Sequence, residues 1–521
     1  MLAVANFLFW SEALAYVVGG VALLAAFYFL REVFLILRNR RQVFRSANGL
    51  GLDAGSDDLV SKAAVTAGLD PVTSYPPLRP RVLSDPGLLP LVVLSGVAGA
   101  GAGLICGFFR QLLQILDGLR QLVPEHFSAH PLAGASLLVI GAAAAGAISV
   151  GLVRRFSENA AGSGIPHVEA VISGELPPAS LPLLPVKFFG GLISIGAGFA
   201  LGREGPSVQM GATFAHLLGK AFGRNEDDCR SLLAAGAGAG LAAAFNAPFA
   251  GAVFVLEELT RKFAARDAIT ALGASGSAIV AARLFTGPAP DFSVAALPFP
   301  SLTDNLLCIG LGAIAALVGV LYNRLLIKAL DISARLTSLP PEARAALVGV
   351  VVGAVAWIAP SLAGGGDVLT QAVLAGHAAI AFLPLLFMMR LLLGAASYAA
   401  GTPGGIFAPL LALGAQLGAF FGEVFHWGAA DPTLHAVAFA LVGMAALFTA
   451  VVRAPLTGMI LVTEMTDNST ELLPMLAACF AAMAVSTLLR EPPLYDTLKE
   501  RAVAQALKKE GASENPKKVR V

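Results

Sequence analysis

Three stretches of the chain place glycines and polar residues directly ahead of a proline and a new apolar run: Gly162-Ser163-Gly164-Ile165-Pro166, Gly202-Arg203-Glu204-Gly205-Pro206 and Gly404-Gly405-Ile406-Phe407-Ala408-Pro409. Proline suits the first positions of a helix, where its missing N–H would have no intrahelical partner. Glycine lets the preceding backbone bend and lets a ligand approach. The spacing predicts helix starts whose free N–H groups stand at the positive end of a dipole, an anion site without a buried full positive charge. One such start occurs in any loop between helices, whereas three in one apolar body point to reversible binding of a small anion. Ser163 adds a hydroxyl donor, a role compatible with that of an ordinary N-cap. Glu204 differs from the rest, because a carboxylate in membrane sequence is costly and marks a pathway or a proton relay. At a helix N-terminus its charge can occupy the anion's place, and protonation favoured by desolvation would release it, giving a gate that trades an anion for a proton. The alternative for Glu204 is a salt bridge with Arg203.

The elements that must position these residues follow from composition. Of 521 residues, 56% are hydrophobic and 13% charged, and the mean hydropathy is +0.76, against about 25% charged for a soluble domain. Fifty-six Gly and 31 Pro lie among the apolar stretches, as they do in transmembrane helices. The fold class expected is an all-α polytopic membrane protein. A net charge of +1 gives no reason to expect a nucleic-acid partner. Cys106, Cys229, Cys308 and Cys479 are far apart, and the seven histidines are scattered; neither a disulfide framework nor a metal spacing is present, and no metal and no cofactor are expected.

Residues 1–45 read as an extra transmembrane anchor. An apolar run of 24 residues from Phe7 to Leu30 is followed by Arg31, Arg38, Arg40, Arg41 and Arg45, which predicts a cytoplasmic flank and an N-terminus outside. A cleaved signal peptide would carry its charge before the apolar run. Residues 46–85 read as a linker rich in Asp and Pro. Residues 86–490 are nearly continuous apolar sequence, cut into unequal runs. Leu89–Leu116, Leu132–Val153 and Leu306–Leu330 are long enough to cross; Ile165–Ile172, Pro206–Leu218 and Ala454–Thr463 are too short. Interrupted segments recurring in two halves are the pointer to a transporter whose half-helices meet near the bilayer midplane. A proline-rich loop from Gly287 to Asp304 separates halves of about 86–287 and 304–490; an inverted repeat is expected, although no literal repeat is apparent. Residues 491–521 read as a charged cytoplasmic tail.

With Leu184-Pro185-Val186-Lys187-Phe188-Phe189-Gly190-Gly191 and Phe245-Asn246-Ala247-Pro248-Phe249-Ala250-Gly251 added in order and spacing, the chain resembles the CLC family of chloride channels and proton-coupled chloride transporters over about residues 86–500. The resemblance implies an inverted repeat of tilted, unequal and half-spanning helices, in an inner-membrane homodimer with one pathway per subunit. It implies that Ser163 and Tyr495 give hydroxyls, and Ile406 and Phe407 backbone N–H groups, to a central chloride, with Glu204 as the external gating glutamate. Alignment on Asn246 puts Glu258 at the position of the internal proton-transfer glutamate of exchangers, where channels usually carry an apolar residue. Serine at 163 goes with chloride preference; nitrate-preferring plant members have proline there and fluoride exporters methionine. Eukaryotic members carry paired regulatory nucleotide-binding domains after the membrane body, and a tail expected to be too short for them favours a prokaryotic form here.

The resulting expectation is a chloride/proton antiporter and not an enzyme, with a passive chloride channel as the alternative. An intramembrane hydrolase with Ser163 as nucleophile would need His167 as its base. Glu258 could instead be a helix-end acid paired with Arg261 or Lys262, Glu257 is expected to be structural, and Glu464 to make an interface hydrogen bond. Lys187 and Arg203 are expected to contribute positive potential along the path or to snorkel, His167 to face solvent, and Trp10, Trp357 and Trp427 to act as interfacial anchors.

Overall fold

A computed structural model describes residues 88–377, 382–425 and 432–514. The anchor and the whole of the linker expected from sequence, together with Trp10 and Trp427, lie outside the described residues. The helices come in two series that match member by member. The first is α1 (Leu88–His126), α2 (Pro131–Phe156), α3 (Ile165–Ile172), α4 (Leu183–Gly196), α5 (Glu204–Ala221), α6 (Glu226–Phe245), α7 (Pro248–Phe254, continued by a π turn over Val255–Leu259) and α8 (Ala265–Thr286). The second is α9 (Leu302–Arg335), α10 (Pro341–Ile358), α11 (Asp367–Leu374), α12 (Leu383–Ala399), α13 (Phe407–Val424), α14 (Pro432–Val452), α15 (Pro455–Thr466) and α16 (Leu472–Leu488), followed by the tail helix α17 (Leu494–Glu514). Equivalent members agree even in their irregularities. α3 and α11 both have 8 residues and both follow a single 3-10 turn, at Glu158–Ala160 and Pro360–Leu362. Both start from a left-handed glycine, Gly164 at φ 85° and Gly366 at φ 103°, a conformation that a Cβ would strain.

The repeat is written in the sequence after all, in two short strings. Gly162, Gly164, Ala170, Val171 and Gly174 recur at the same spacing as Gly364, Gly366, Ala372, Val373 and Gly376, and Ala247-Pro248, Gly251, Val255 and Glu257 recur as Ala454-Pro455, Gly458, Val462 and Glu464. The halves meet through equivalent members. Gly349 and Gly353 of α10 lie against the backbone at Ala142 and Leu138 of α2. α7 and α15 cap one another: the Glu257 carboxylate accepts from Leu456 N (3.0 Å), Thr457 N (2.7 Å) and Thr457 Oγ1 (2.8 Å), while Glu464 accepts from Phe249 N (3.1 Å) and Ala250 N (2.7 Å). Each acid thereby satisfies N–H groups that its partner helix cannot satisfy internally. This matches the structural role expected of Glu257 and the hydrogen bond expected of Glu464.

Small residues allow the close approach that membrane helices need in place of a hydrophobic drive. Gly99, Gly103 and Gly107 of α1 lie against Ala274, Ala278 and Ala282 of α8, and Gly211 of α5 lies against Gly236 of α6. Among the described residues seven helices are long and apolar enough to cross a membrane. The segment expected from Pro206 to Leu218 is longer than predicted: α5 takes in Glu204 at one end and Ala221 at the other. It does so because Ser207, Gln209, Thr213 and His216 are absorbed on buried faces. The four cysteines are free and buried.

Candidate functional site

The three glycine stretches converge. Gly202 and Gly405 exchange backbone hydrogen bonds (Gly202 N to Gly405 O, 2.8 Å; Gly405 N to Gly202 O, 2.7 Å), and Gly162 joins the same seam, donating to Thr402 O (3.2 Å) and accepting from Gly404 N (3.0 Å). α3, α5 and α13 therefore start side by side. Pro166 is the second residue of α3, while Pro206 and Pro409 are the third residues of α5 and α13, all within the turn whose N–H groups have no intrahelical acceptor.

Glu204 opens α5 and is fully buried. Its Oε1 accepts from Phe407 N at 2.6 Å, so a carboxylate from the first half occupies a helix N-terminus of the second. A side chain at Gly202 or Gly405 would run into this carboxylate, and one at Gly205 would run into Ser163; these glycines are needed for close approach. Glu204 Oε2 has no hydrogen-bond partner. The same is true of two further buried hydroxyls, Ser163 Oγ and Tyr495 OH. The Tyr495 ring packs on that of Phe407 with centroids 5.7 Å apart, and Phe407 is further flanked by Phe448 and Phe254. The structure thus brings Ser163, Glu204, Phe407 and Tyr495 together, with Ile406 as the N-cap of α13. Unpaired buried polar atoms are expensive, and a group of donors without acceptors beside a helix N-terminus is a place for an anion.

Arg203 does not pair with Glu204. Its guanidinium is held by Asp291 (2.9 Å) and Asp367 (2.7 Å) and donates to Ala244 O (2.9 Å), and Asp291 also takes Arg110 at 2.6 Å. A cavity of about 270 Å³ lies over these groups. Lys187 is buried in full and does not snorkel; it donates to Ala160 O (3.1 Å) and Gly162 O (2.7 Å). Arg390 does the same in the second half, donating to Leu362 O (2.7 Å), Gly364 O (2.7 Å) and Gly365 O (2.8 Å). Each buried cation holds the glycine loop that leads into a short helix.

Glu258 lies apart from this site, in the π turn after α7, and is 3% exposed. The pairing with Arg261 is loose, at 4.0 Å, because the Arg261 guanidinium is turned to Asp496 of α17. A cavity of about 250 Å³ adjoins it, lined by Glu169, Glu258, Arg261, Lys262 and Lys499 among others. At its rim Lys499 bonds Glu175 at 3.0 Å; this bond and one with Ser173 hold the exposed Glu175 carboxyl below the usual carboxylate range. His167 is buried against the solvent-facing expectation, because α3 is enclosed on nearly every side. Sequence reasoning missed Glu169, Asp291, Asp367 and Arg390. For Glu169 the signal was present, an acid inside an eight-residue apolar helix; Asp291 sits in the proline-rich loop, and Asp367 opens a short helix after a glycine run.

Comparison with known proteins adds an independent measure. The sequence model of the family described as voltage gated chloride channel matches residues 145–487. The chain is 38% identical, over 79% of its length and 90% of the relative's, to the H(+)/Cl(-) exchange transporter ClcA of Vibrio parahaemolyticus. It is 40% identical to the ClcA of Cronobacter sakazakii, over 68% and 77%. Among solved structures it is similar to a slow cyanobacterial Cl−/H+ antiporter, with a TM-score of 0.76 and 32% identity over 80% of this chain and 98% of that one. A CLC-type fluoride/proton antiporter shares the fold, with a TM-score of 0.64 and 24% identity over 77% and 96%. Two helical series joined at glycine seams, apolar crossing helices and this agreement in sequence lead to one conclusion: the chain is a multi-pass membrane protein and belongs to the CLC, or voltage-gated chloride channel, family.

Proposed function

We propose that the protein is a secondary transporter that exchanges chloride for protons. The observation that carries this reading is the Glu204 carboxylate seated on Phe407 N–H beside the unpartnered hydroxyls of Ser163 and Tyr495. A carboxylate and a chloride compete for the same donors, so each cycle that admits an anion must displace or protonate the acid. Glu204 is the external gate and proton acceptor; Ser163, Tyr495 and the backbone at Ile406 and Phe407 bind the central chloride. Gly162, Gly164, Gly202, Gly205, Gly404 and Gly405, with Pro166, Pro206 and Pro409, shape the loops. Lys187 and Arg203 supply positive potential, Lys187 through the loop it tethers. Glu258 is the internal proton-transfer residue, buried beside its own cavity.

The names of the similar proteins, H(+)/Cl(-) exchange transporters and a Cl−/H+ antiporter, support the exchange reading over a passive channel. By its resemblance to the family the protein works as a homodimer in the inner membrane, and the basic flank after the first apolar run argues for an N-terminus outside, with the charged tail in the cytoplasm. The test is purified protein in liposomes under a chloride gradient. Wild type drives protons uphill, and Glu258→Gln keeps chloride flux while losing proton movement. Chloride flux without proton movement in wild type refutes antiport and makes the protein a channel.

A further inference from the structure

The two halves repeat one arrangement with their roles exchanged. In the central site a carboxylate of the first half, Glu204, reaches the start of α13 in the second half, and the glycine loop ahead of α3 is tethered by the buried Lys187. In the cavity over Arg203 a carboxylate of the second half, Asp367, reaches the N-cap of α5 in the first half, Arg203, at 2.7 Å. The glycine loop ahead of Asp367 is tethered by the buried Arg390. The charged lining of this cavity of about 270 Å³ is Arg110, Arg203, Asp117, Asp291 and Asp367. Asp117 pairs with Arg120 at 2.6 Å. Asp291 is fixed: its side chain is 2% exposed and spans both Arg110 and Arg203, and its loop is pinned by Phe292 N on Met465 O (2.9 Å) and Asn246 Nδ2 on Ala289 O (2.8 Å). Asp367 is the acid that can yield, with a side chain 36% exposed. An ion pair with one partner so open to water is weak, and a change of rotamer turns the carboxylate outward. Arg110 and Arg203, both buried, then share one aspartate between two positive charges, and the buried Nε–H of Arg110 already lacks an acceptor.

We propose that this cavity is a second anion site, in which a small monovalent anion takes the place of the Asp367 carboxylate on Arg203, with Arg110 beside it, on its way to or from Glu204. This rests on the reading of Glu204 as the gate. The charge balance sets the ligand class: with Asp367 turned out, two guanidiniums and Asp291 leave one positive charge, which one chloride or nitrate neutralises and a divalent anion overshoots. Asp367 is thus a built-in competitor that keeps the site weak, so that an anion held there can still move on. A guanidinium freed of its carboxylate is also a strong donor to an anion, since hydrogen bonds to charged groups are the stronger ones.

The experiment locates bromide by its anomalous scattering in crystals of the full chain soaked in sodium bromide, and measures the KM for chloride in liposome flux. In Asp367→Asn the competitor is gone, and bromide occupancy between Arg110 and Arg203 is expected to rise about twofold or more over wild type at one bromide concentration, with the chloride KM falling by a similar factor. Asp367→Glu, which keeps the charge, is expected to return both towards wild type. No bromide at the two guanidiniums in Asp367→Asn, or equal occupancy in the Asn and Glu variants, overturns the site. Bromide there with an unchanged KM is an adventitious ion only and overturns its part in transport. Should the position 367 variants fail to fold, a bromide titration of wild-type crystals decides: occupancy must rise together with an Asp367 side chain turned away from Arg203, and bromide bound with that ion pair intact, or no bromide at all, overturns the proposal. Failure of antiport itself is distinguishable, since it is read from proton movement in wild type, whereas the bromide positions and the chloride KM do not depend on proton coupling.

Discussion

Truncating the gate makes the sharpest prediction. In wild type the donor at Phe407 N is occupied by Glu204 Oε1 at 2.6 Å, and a chloride must displace that bond to use it. A hydrogen bond to a charged group is worth about 1.5–3 kcal/mol net. Glu204→Ala removes this competitor and leaves a buried N–H that only an anion can satisfy. The same energy is then returned to the ligand, so chloride should bind about 10- to 150-fold more tightly, at about 1.4 kcal/mol per factor of ten. Calorimetric titration of chloride into chloride-free protein measures it, with gluconate as the inert anion. Repeating the titration at several pH values separates charge from packing. Wild-type affinity should rise as pH falls and protonation relieves the competition, whereas the Ala variant should be flat. An affinity equal to or weaker than wild type, or a variant with the wild-type pH dependence, would refute the competition between carboxylate and anion.

Two further outcomes follow from other contacts. Ser163→Pro removes the unpartnered buried hydroxyl of the first loop and should raise nitrate transport relative to chloride; an unchanged anion preference in flux assays counts against Ser163 as a ligand. Glu257→Ala deprives Leu456 N, Thr457 N and Thr457 Oγ1 of their acceptor and should cost about 2 kcal/mol or more, given about 1–3 kcal/mol for an unsatisfied buried donor. A thermal unfolding midpoint that stays where it is in detergent would show that the cap contributes nothing.

What could be read from the sequence was local. Each glycine stretch is a self-contained helix start, and each lies where a helix begins. The unequal runs announced half-spanning helices, and the break expected from Gly287 to Asp304 falls between the two series except for its last three residues, which begin α9. What escaped depends on partners distant in the chain. Asp291 and Asp367 matter only because Arg203 reaches both, and Arg390 reads as one cation in an apolar helix until its three carbonyl acceptors are known. His167 looked exposed because a short helix after a loop usually is, and α3 is instead enclosed. The repeat was hidden because equivalence survives only where geometry demands it, at left-handed glycines and at the acids that cap the opposite half.

The glycine seam carries a consequence for biosynthesis. Gly202 finds its backbone partner in Gly405, and Glu204 its donor in Phe407, both in the half made second. At a synthesis rate of about 5–20 residues per second, the first half waits roughly ten seconds or more in the bilayer with its most polar loop unpaired. Membrane insertion of this chain therefore passes through an obligatory stage at which Glu204 lacks its donor. During that interval a chaperone or the translocon must shelter the loop, or Glu204 must stay protonated. The nascent chain is then most open to quality control, before any ion has been carried.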